Sequence, residues 1–340
     1  MTDRRQDIDT FLAGAGWENA NRSPLAGDAS SRRYERLQQI GGDRAVLMDA
    51  PPEAGEDVRP FVHIAQYLQS IGLSAPEVLA TDETQGFLLL EDLGDALFAR
   101  VFETEPSLQA QLYLAATDVL LWLHSKPFPE LTPLEAPLLA EMIGPVFDWY
   151  QLGILGLTDS SALATFQTAF REVLTHLTTG PAVMVLRDFH AENLLWLPDR
   201  SGIARVGLLD FQDAKSGHPA YDLVSLLQDA RRDVPLDIEA QAIAHYIAKS
   251  GVDPESFGAS YAVLGAQRNL RILGIFARLC LRDGKAHYVD LIPRVWEFVT
   301  RNLTHPALVD IAPLVLETLP SPTPERLQRL KDKCATLPTP

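Results

Sequence analysis

Three side chains stand at spacings that suit one reaction. Asp188 and Asn193 lie five residues apart in Leu186-Arg187-Asp188-Phe189-His190-Ala191-Glu192-Asn193, and Asp210 follows seventeen residues after Asn193 in Leu208-Leu209-Asp210-Phe211-Gln212-Asp213. Phosphoryl transfer needs a carboxylate to orient the attacking hydroxyl and accept its proton, and hard oxygen ligands to hold Mg²⁺ against phosphates. Asp188 suits the first task; Asn193 and Asp210 suit the second. An aspartate in a loop is by itself more often a turn former or a helix cap. Asp-x4-Asn followed, after a short hairpin, by two apolar residues and Asp-Phe is far more specific. The apolar runs Met184–Leu186, Leu194–Leu197 and Val206–Leu209 read as buried strands flanking the loops that present these groups.

Other elements must position them. Asp7–Trp17 reads as a short amphipathic helix, and Arg32–Leu37 and Arg44–Met48 as strands around the turn Gly41-Gly42-Asp43. Phe61, Ile64, Ala65, Leu68 and Ile71 recur at helical spacing within Val58–Ile71, and Gly72 ends that helix. Glu77–Thr81 and Gly86–Glu91 read as two further strands. Beyond Gly94 the pattern turns helical, with Leu108–Ser125, Ala136–Leu152 and Ser160–Leu177, and again from Tyr221 onward. The boundaries expected are therefore a small lobe over 1–91, a linker over 92–95 and a large helical lobe over 96–340. A length of 340 residues fits two domains, since single cores stop growing near ~250–300 residues.

Composition narrows the class. Hydrophobic residues are 46% and charged residues 22%, the norm of a globular chain. Asp plus Glu number 45 against 29 Lys plus Arg, a net charge of -16 that argues against a nucleic-acid partner. Cys280 and Cys334 are too few for a disulfide framework and match no metal-ligand spacing. No run approaches a membrane span and the first ten residues lack an apolar signal core, so a cytoplasmic protein without a membrane partner is expected.

From about Ser23 to about Thr300 the sequence resembles the aminoglycoside phosphotransferase-like branch of the protein-kinase-like fold. It is most similar there to the anomeric sugar kinases of cell-wall recycling, which phosphorylate N-acetylmuramate and N-acetylglucosamine. The resemblance is carried by Gly27-Asp28-Ala29-Ser30 with Arg32-Arg33-Tyr34, by Met48-Asp49-Ala50-Pro51-Pro52, and by Leu90-Glu91-Asp92-Leu93-Gly94-Asp95. It continues in Arg187-Asp188-Phe189-His190, Asp210-Phe211-Gln212-Asp213-Ala214, Tyr221-Asp222-Leu223 and Arg268–Arg282. It implies an α+β, two-lobed protein-kinase-like fold, with a small antiparallel β-sheet lobe and a large helical lobe. ATP and Mg²⁺ would be the cofactors, and a small-molecule alcohol or sugar the acceptor, in a monomer or dimer. Asp188 would be the catalytic base, with Asn193 and Asp210 as metal ligands. The loop Gly27, Asp28, Ala29, Ser30 and Ser31 would cover the phosphates, and Glu91, Asp92 and Leu93 would present backbone groups to adenine. Asp222 would be structural, tying the catalytic loop to the helix after it.

Two departures stand out. Kinase-like enzymes pair the nucleotide phosphates with a lysine on the third strand; here Met48 sits near that position, and Lys126 is the first lysine of the chain. An arginine must substitute, Arg33 or Arg32 ahead of Arg44, unless metal and backbone suffice. Leu186 stands where the family usually has His. His190 either orders the loop or touches a sugar, and Asp213 either meets substrate hydroxyls or holds the loop. Arg268, Arg271, Arg278 and Arg282 share a helical face; they either pair with the protein's own carboxylates or, in part, bind an anionic acceptor. Phe147, Trp149, Tyr150 and Trp122 are core by default, with Trp149 or Tyr150 able to stack on a sugar. Phosphorylation of an aminoglycoside or another small alcohol, and a non-catalytic nucleotide-binding regulator, are the competing readings.

Overall fold

The structure, a computed structural model, describes residues 4–25, 31–178 and 180–337. Gly27, Asp28, Ala29 and Ser30 of the expected phosphate loop lie outside the described residues. The chain forms two compact units. One holds the residues up to Pro129 together with Leu186–Ala214; the other holds Glu130–Val185 and the chain from Lys215 onward.

The first unit is built on α1 (Arg4–Gly14), β1 (Asn21–Pro24), β2 (Arg33–Gln38), β3 (Arg44–Asp49), α2 (Arg59–Ser70), β4 (Val78–Asp82), β5 (Phe87–Glu91), α3 (Phe98–Thr104) and α4 (Gln109–His124). The five strands make one antiparallel sheet in the order β1-β2-β3-β5-β4. β1 is not legible in the sequence: Asn-Arg-Ser-Pro is polar, and Pro24 is tolerated because the strand is an edge. Alternation sorts the sheet's residues between its two faces. Leu37, Ala45, Leu47, Phe87 and Leu89 bury one face against Ile8 and Leu12 of α1. Tyr34, Arg36, Val46, Met48, Leu88 and Leu90 share the opposite face through the pairs Tyr34–Met48–Leu88 and Arg36–Val46–Leu90. Arg4 ties α1 to the end of β3 through a 2.5 Å pair with the buried Asp49.

Two short two-stranded sheets follow from the segment between Val183 and Gly217. β6 (Val183–Val185) pairs with β9 (Lys215–Gly217) in the second unit, and β7 (Leu194–Trp196) pairs with β8 (Val206–Leu208) in the first. β9 is Lys-Ser-Gly, which carries no strand signal; its place is fixed by tertiary pairing.

The second unit is organised around the helix Pro254–Leu281, 28 residues and thus about 42 Å long. Asp253 caps its start by accepting the Ser256 N–H at 2.8 Å. A Cβ on Gly274 would lie 2.2 Å from the Pro145 carbonyl carbon, so only glycine admits this close a crossing. The continuous helix expected over Ala136–Leu152 is instead broken. It divides into Ala136–Glu141, a π-helical turn at Val146–Gln151 and a last turn at Leu152–Leu155, with Gly144-Pro145 interrupting the ladder. Gln228, Asn269 and Asn302 form a buried amide cluster, in which Gln228 Oε1 accepts from Asn269 at 2.7 Å and from Asn302 at 2.8 Å.

His218, just before the helix Ala220–Leu227, accepts the Ala220 N–H on its Nδ1 at 3.1 Å, and burial pushes its imidazole down to about 4. The folded chain therefore refuses a proton that the unfolded chain takes up below about 6.5, and stability falls as pH falls through that window. Between pH 7.5 and 5 the protein should lose about 2 kcal/mol more stability than a His218→Asn variant, read from denaturant midpoints at each pH.

Candidate functional site

The β7–β8 hairpin and its flanks carry the site. Asn193 closes a tight loop, donating its backbone N–H to His190 O at 2.8 Å and its side-chain Nδ2 to Asp188 O at 2.9 Å. The same Nδ2 lies 3.4 Å from Asp210 Oδ2, and Leu209 N–H donates to Asn193 O at 2.9 Å. The structure thus brings Asp188, Asn193 and Asp210 into one hydrogen-bonded group, all three partly exposed. Gln212 Nε2 donates to Asp210 Oδ1 at 2.6 Å. No sequence pattern marks this i,i+2 contact around a positive-φ residue.

Two backbone conformations in this segment are uncommon. Arg187 has φ 72° and Asp210 φ 56°, both non-glycine residues in the left-handed region. Such positions cost of order 1–3 kcal/mol and persist only where neighbours hold them. Here the neighbours are Phe211, fully buried against Phe61 of α2 at 4.8 Å between centroids, and Leu186, buried where a histidine was expected.

The hairpin is stitched to distant parts of its own unit. Ser74 Oγ donates to Ala204 O at 2.6 Å, and Leu208 N–H donates to Ser74 O at 2.9 Å. On the other side Trp196 N–H donates to Ala96 O at 2.8 Å, and Ala99 N–H to Ala191 O at 3.1 Å. Glu91, ending β5, is ion-paired with Arg200.

The linker is held by Arg36. Its Nε lies 2.8 Å from Asp92 Oδ2, its Nη1 donates to Asp95 Oδ2 at 2.9 Å, and Asp92 Oδ1 also accepts the Gly94 N–H at 2.9 Å. Leu93 rests on β8: a Cβ on Gly207 would come within 3.2 Å of its Cδ1. Among the described residues neither Asp92 nor Leu93 spends its backbone N–H or C=O on a hydrogen bond. Arg36 was missed in the sequence, because its partners lie more than fifty residues away.

The remaining candidates fall as follows. Ser31 is exposed and donates its N–H to Glu56 Oε1 at 3.2 Å. Arg33 is exposed and lies on the α1 face of β2, opposite Asp49. His190 is buried; Asp213 is exposed on a turn, its carbonyl accepting from Arg187 at 3.4 Å. In the second unit Asp222 is wholly buried on the helix Ala220–Leu227. Arg268 is buried too and donates to Ser225 Oγ at 2.8 Å, a hydroxyl where a carboxylate was the expected partner. Arg271 is half-buried, and Arg282 pairs with the adjacent Asp283 at 2.6 Å. Burial and the charges of Arg282 and Arg271 hold Arg278 below its ordinary value. Tyr150 is core, as expected by default: it is fully buried, donates to Pro320 O at 2.6 Å and stacks on Trp296. Trp149 is buried as well, but Trp122 is 38% exposed and so no core residue.

This architecture recurs in solved structures. A choline/ethanolamine kinase family protein from Mesorhizobium loti superposes with a TM-score of 0.62 at 16% identity, over 97% of this chain and 100% of that one. The GDP complex of an aminoglycoside 2'-phosphotransferase gives 0.61 at 15% identity, over 89% and 98%. The fold is thus the kinase-like α+β fold of small-molecule phosphotransferases.

The chain belongs to the phosphotransferase enzyme family, whose profile matches residues 21–258. A relative from Caulobacter vibrioides named N-acetylmuramate/N-acetylglucosamine kinase is 39% identical over 338 residues, covering 88% of this chain and 93% of its own. A protein of the same name from Pseudomonas aeruginosa is 35% identical, covering 91% and 93%. The protein is an enzyme that transfers a phosphoryl group.

Asp92's carboxylate is only 4% exposed, so removing its partner strands a nearly buried charge. Arg36→Met should lower stability by about 2–4 kcal/mol, and adding Asp92→Asn should recover part of that loss, both measured by urea denaturation.

Proposed function

We propose that the protein transfers the γ-phosphoryl group of ATP to the anomeric hydroxyl of N-acetylmuramate or N-acetylglucosamine, in the cytoplasm. The observation that carries the reading is the joining of Asp188, Asn193 and Asp210 into one hydrogen-bonded group, in a chain whose relatives bear that kinase name over nine-tenths of their length.

Each residue's task follows from its chemistry. Asp188, whose backbone is pinned by Asn193 and His190, orients the sugar hydroxyl and accepts its proton. Asp210 and Asn193 suit Mg²⁺, because a carboxylate and an amide oxygen are hard donors and the two groups lie within 3.4 Å. When bound, the ion would neutralise charge on the transferring phosphoryl group. Gln212 steers the Asp210 carboxylate from its other oxygen. The unspent backbone groups of Asp92 and Leu93 are suited to adenine, with the Arg36–Asp92 pair fixing the linker after Glu91. Gly27, Asp28, Ala29, Ser30 and Ser31 remain the proposed phosphate cover, and Asp222 a structural residue.

On the acceptor side His190 and Asp213 are the neighbours of Asp188 and Asp210 in sequence, and we assign them to sugar contacts. Arg268 and Arg271 are the cations best suited to an acceptor that carries a carboxylate, since a guanidinium fork matches that group. N-acetylmuramate should then lose more turnover than N-acetylglucosamine when Arg271 becomes Ala.

ADP release would be followed from MgATP with N-acetylmuramate, N-acetylglucosamine and kanamycin as single acceptors. Turnover with the amino sugars and none with kanamycin is expected; turnover with kanamycin alone would replace this reading with antibiotic phosphorylation. Asp188→Asn should cut turnover on the order of 10³-fold while leaving nucleotide affinity within a few-fold of the unaltered protein. ATP binding without turnover of any acceptor would favour a regulator.

A further inference from the structure

Kinase-like enzymes pair the nucleotide phosphates with a lysine amine that a helix carboxylate positions. The unit that holds Asp188, Asn193 and Asp210 contains a single lysine, Lys126. Its ammonium sits 3.4 Å above the Trp122 ring, whose indole N–H is bonded to Ile71 O at the end of α2. That amine is committed elsewhere. A cation that replaces it belongs on the sheet face that α1 does not cover, near the loop that leads into β2.

Arg32 meets both conditions. It immediately precedes β2, and alternation along the strand gives it the parity of Tyr34, which lies on the face opposite α1. Its Nε donates to Glu56 Oε2 at 2.8 Å, and both side chains are about six-sevenths buried, at 15% and 14% exposure. The second Glu56 oxygen accepts the N–H of Ser31, the last residue of the expected phosphate loop. One carboxylate, three residues ahead of α2, thus fixes the guanidinium and the end of that loop together. Arg33, the neighbouring candidate, has the other parity and lies on the α1 face.

Strand length sets the scale. Arg36 grips the linker from within β2, and Arg32, just before the strand's first residue, is four residues away, about 13 Å along the strand. A nucleotide with its base at the linker would extend its phosphates toward that end.

Resting on the phosphotransfer reading above, we propose that Arg32, aimed by Glu56, pairs the phosphates of the bound nucleotide in place of the absent lysine. Arginine suits the task because its five donors let one edge hold an acid while the fork meets an anion.

Calorimetric titration of ADP and of adenosine, with Mg²⁺ present, separates a phosphate contact from general damage. Arg32→Ala should weaken ADP on the order of 10- to 100-fold and leave adenosine within about twofold. Arg32→Lys should fall between, Glu56→Gln should weaken ADP in the same direction but less, and Arg33→Ala should match the unaltered protein. Unchanged ADP affinity in Arg32→Ala, equal loss of adenosine, or the loss appearing in Arg33→Ala would each overturn the assignment and leave phosphotransfer standing. Failure of the unaltered protein to bind ADP would instead remove the phosphotransfer reading and this assignment with it. Should Arg32→Ala melt early, Glu56→Gln carries the same comparison of ADP with adenosine.

Discussion

Everything at the site depends on a hairpin that could not stand alone. β7 and β8 are three residues each, and two such strands have too few bonds and too little apolar face to be stable in water. What holds them is the set of hydrogen bonds with Ser74 on one flank and with Ala96 and Ala99 on the other. Ser74 follows the helix α2, and Ala96 follows the linker. The segment carrying Asn193 and Asp210 is thereby locked to the element that precedes it in the unit and to the one that binds the sheet's exit strand. A shift of either flank would move Asn193 and Asp210 as a body, without first breaking the contact between them.

That lock also accounts for the positive φ of Arg187 and Asp210. A left-handed non-glycine residue is unfavourable by itself, so its survival measures how firmly the surroundings determine it. At Asp210 the determinants are visible: Phe211 is wedged against Phe61, and Leu209 is tied to Asn193 O. Turning the backbone this way puts the carboxylate between two amide donors rather than along the strand direction. Leu186 contributes burial where a histidine would have contributed a hydrogen bond, and the loop remains in place because its bonds run through the backbone and Asn193.

Much of this was legible from sequence because it is local. The spacing of Asp188, Asn193 and Asp210 is short, and the strands and α2 announce themselves by period. Residues whose meaning is set by distant partners were not legible. Arg36, Glu56, Ser74 and Arg200 each act across 24 or more positions, and an isolated arginine or serine carries no trace of its mate. β1 and β9 failed for a related reason: both are polar three- or four-residue pieces that become strands by pairing. The helix expected over Ala136–Leu152 failed because Gly144-Pro145 breaks the ladder, and that break is where the long helix Pro254–Leu281 passes at Gly274. Arg268, Arg271 and Arg278 do lie on one helix, with Arg282 at its C-cap, yet periodicity could not say that Arg268 would turn inward to a serine.

The lone Lys126 has a consequence for how such an enzyme is found. Covalent nucleotide probes that survey kinases across a proteome work by acylating an amine beside the phosphates. In this unit the one lysine amine lies on an indole ring, and a guanidinium stays protonated at any pH where the protein is folded, so it does not acylate. A reagent of that kind has no lysine amine in this unit to take but the one on the Trp122 ring, so its label there would report that ring rather than a nucleotide.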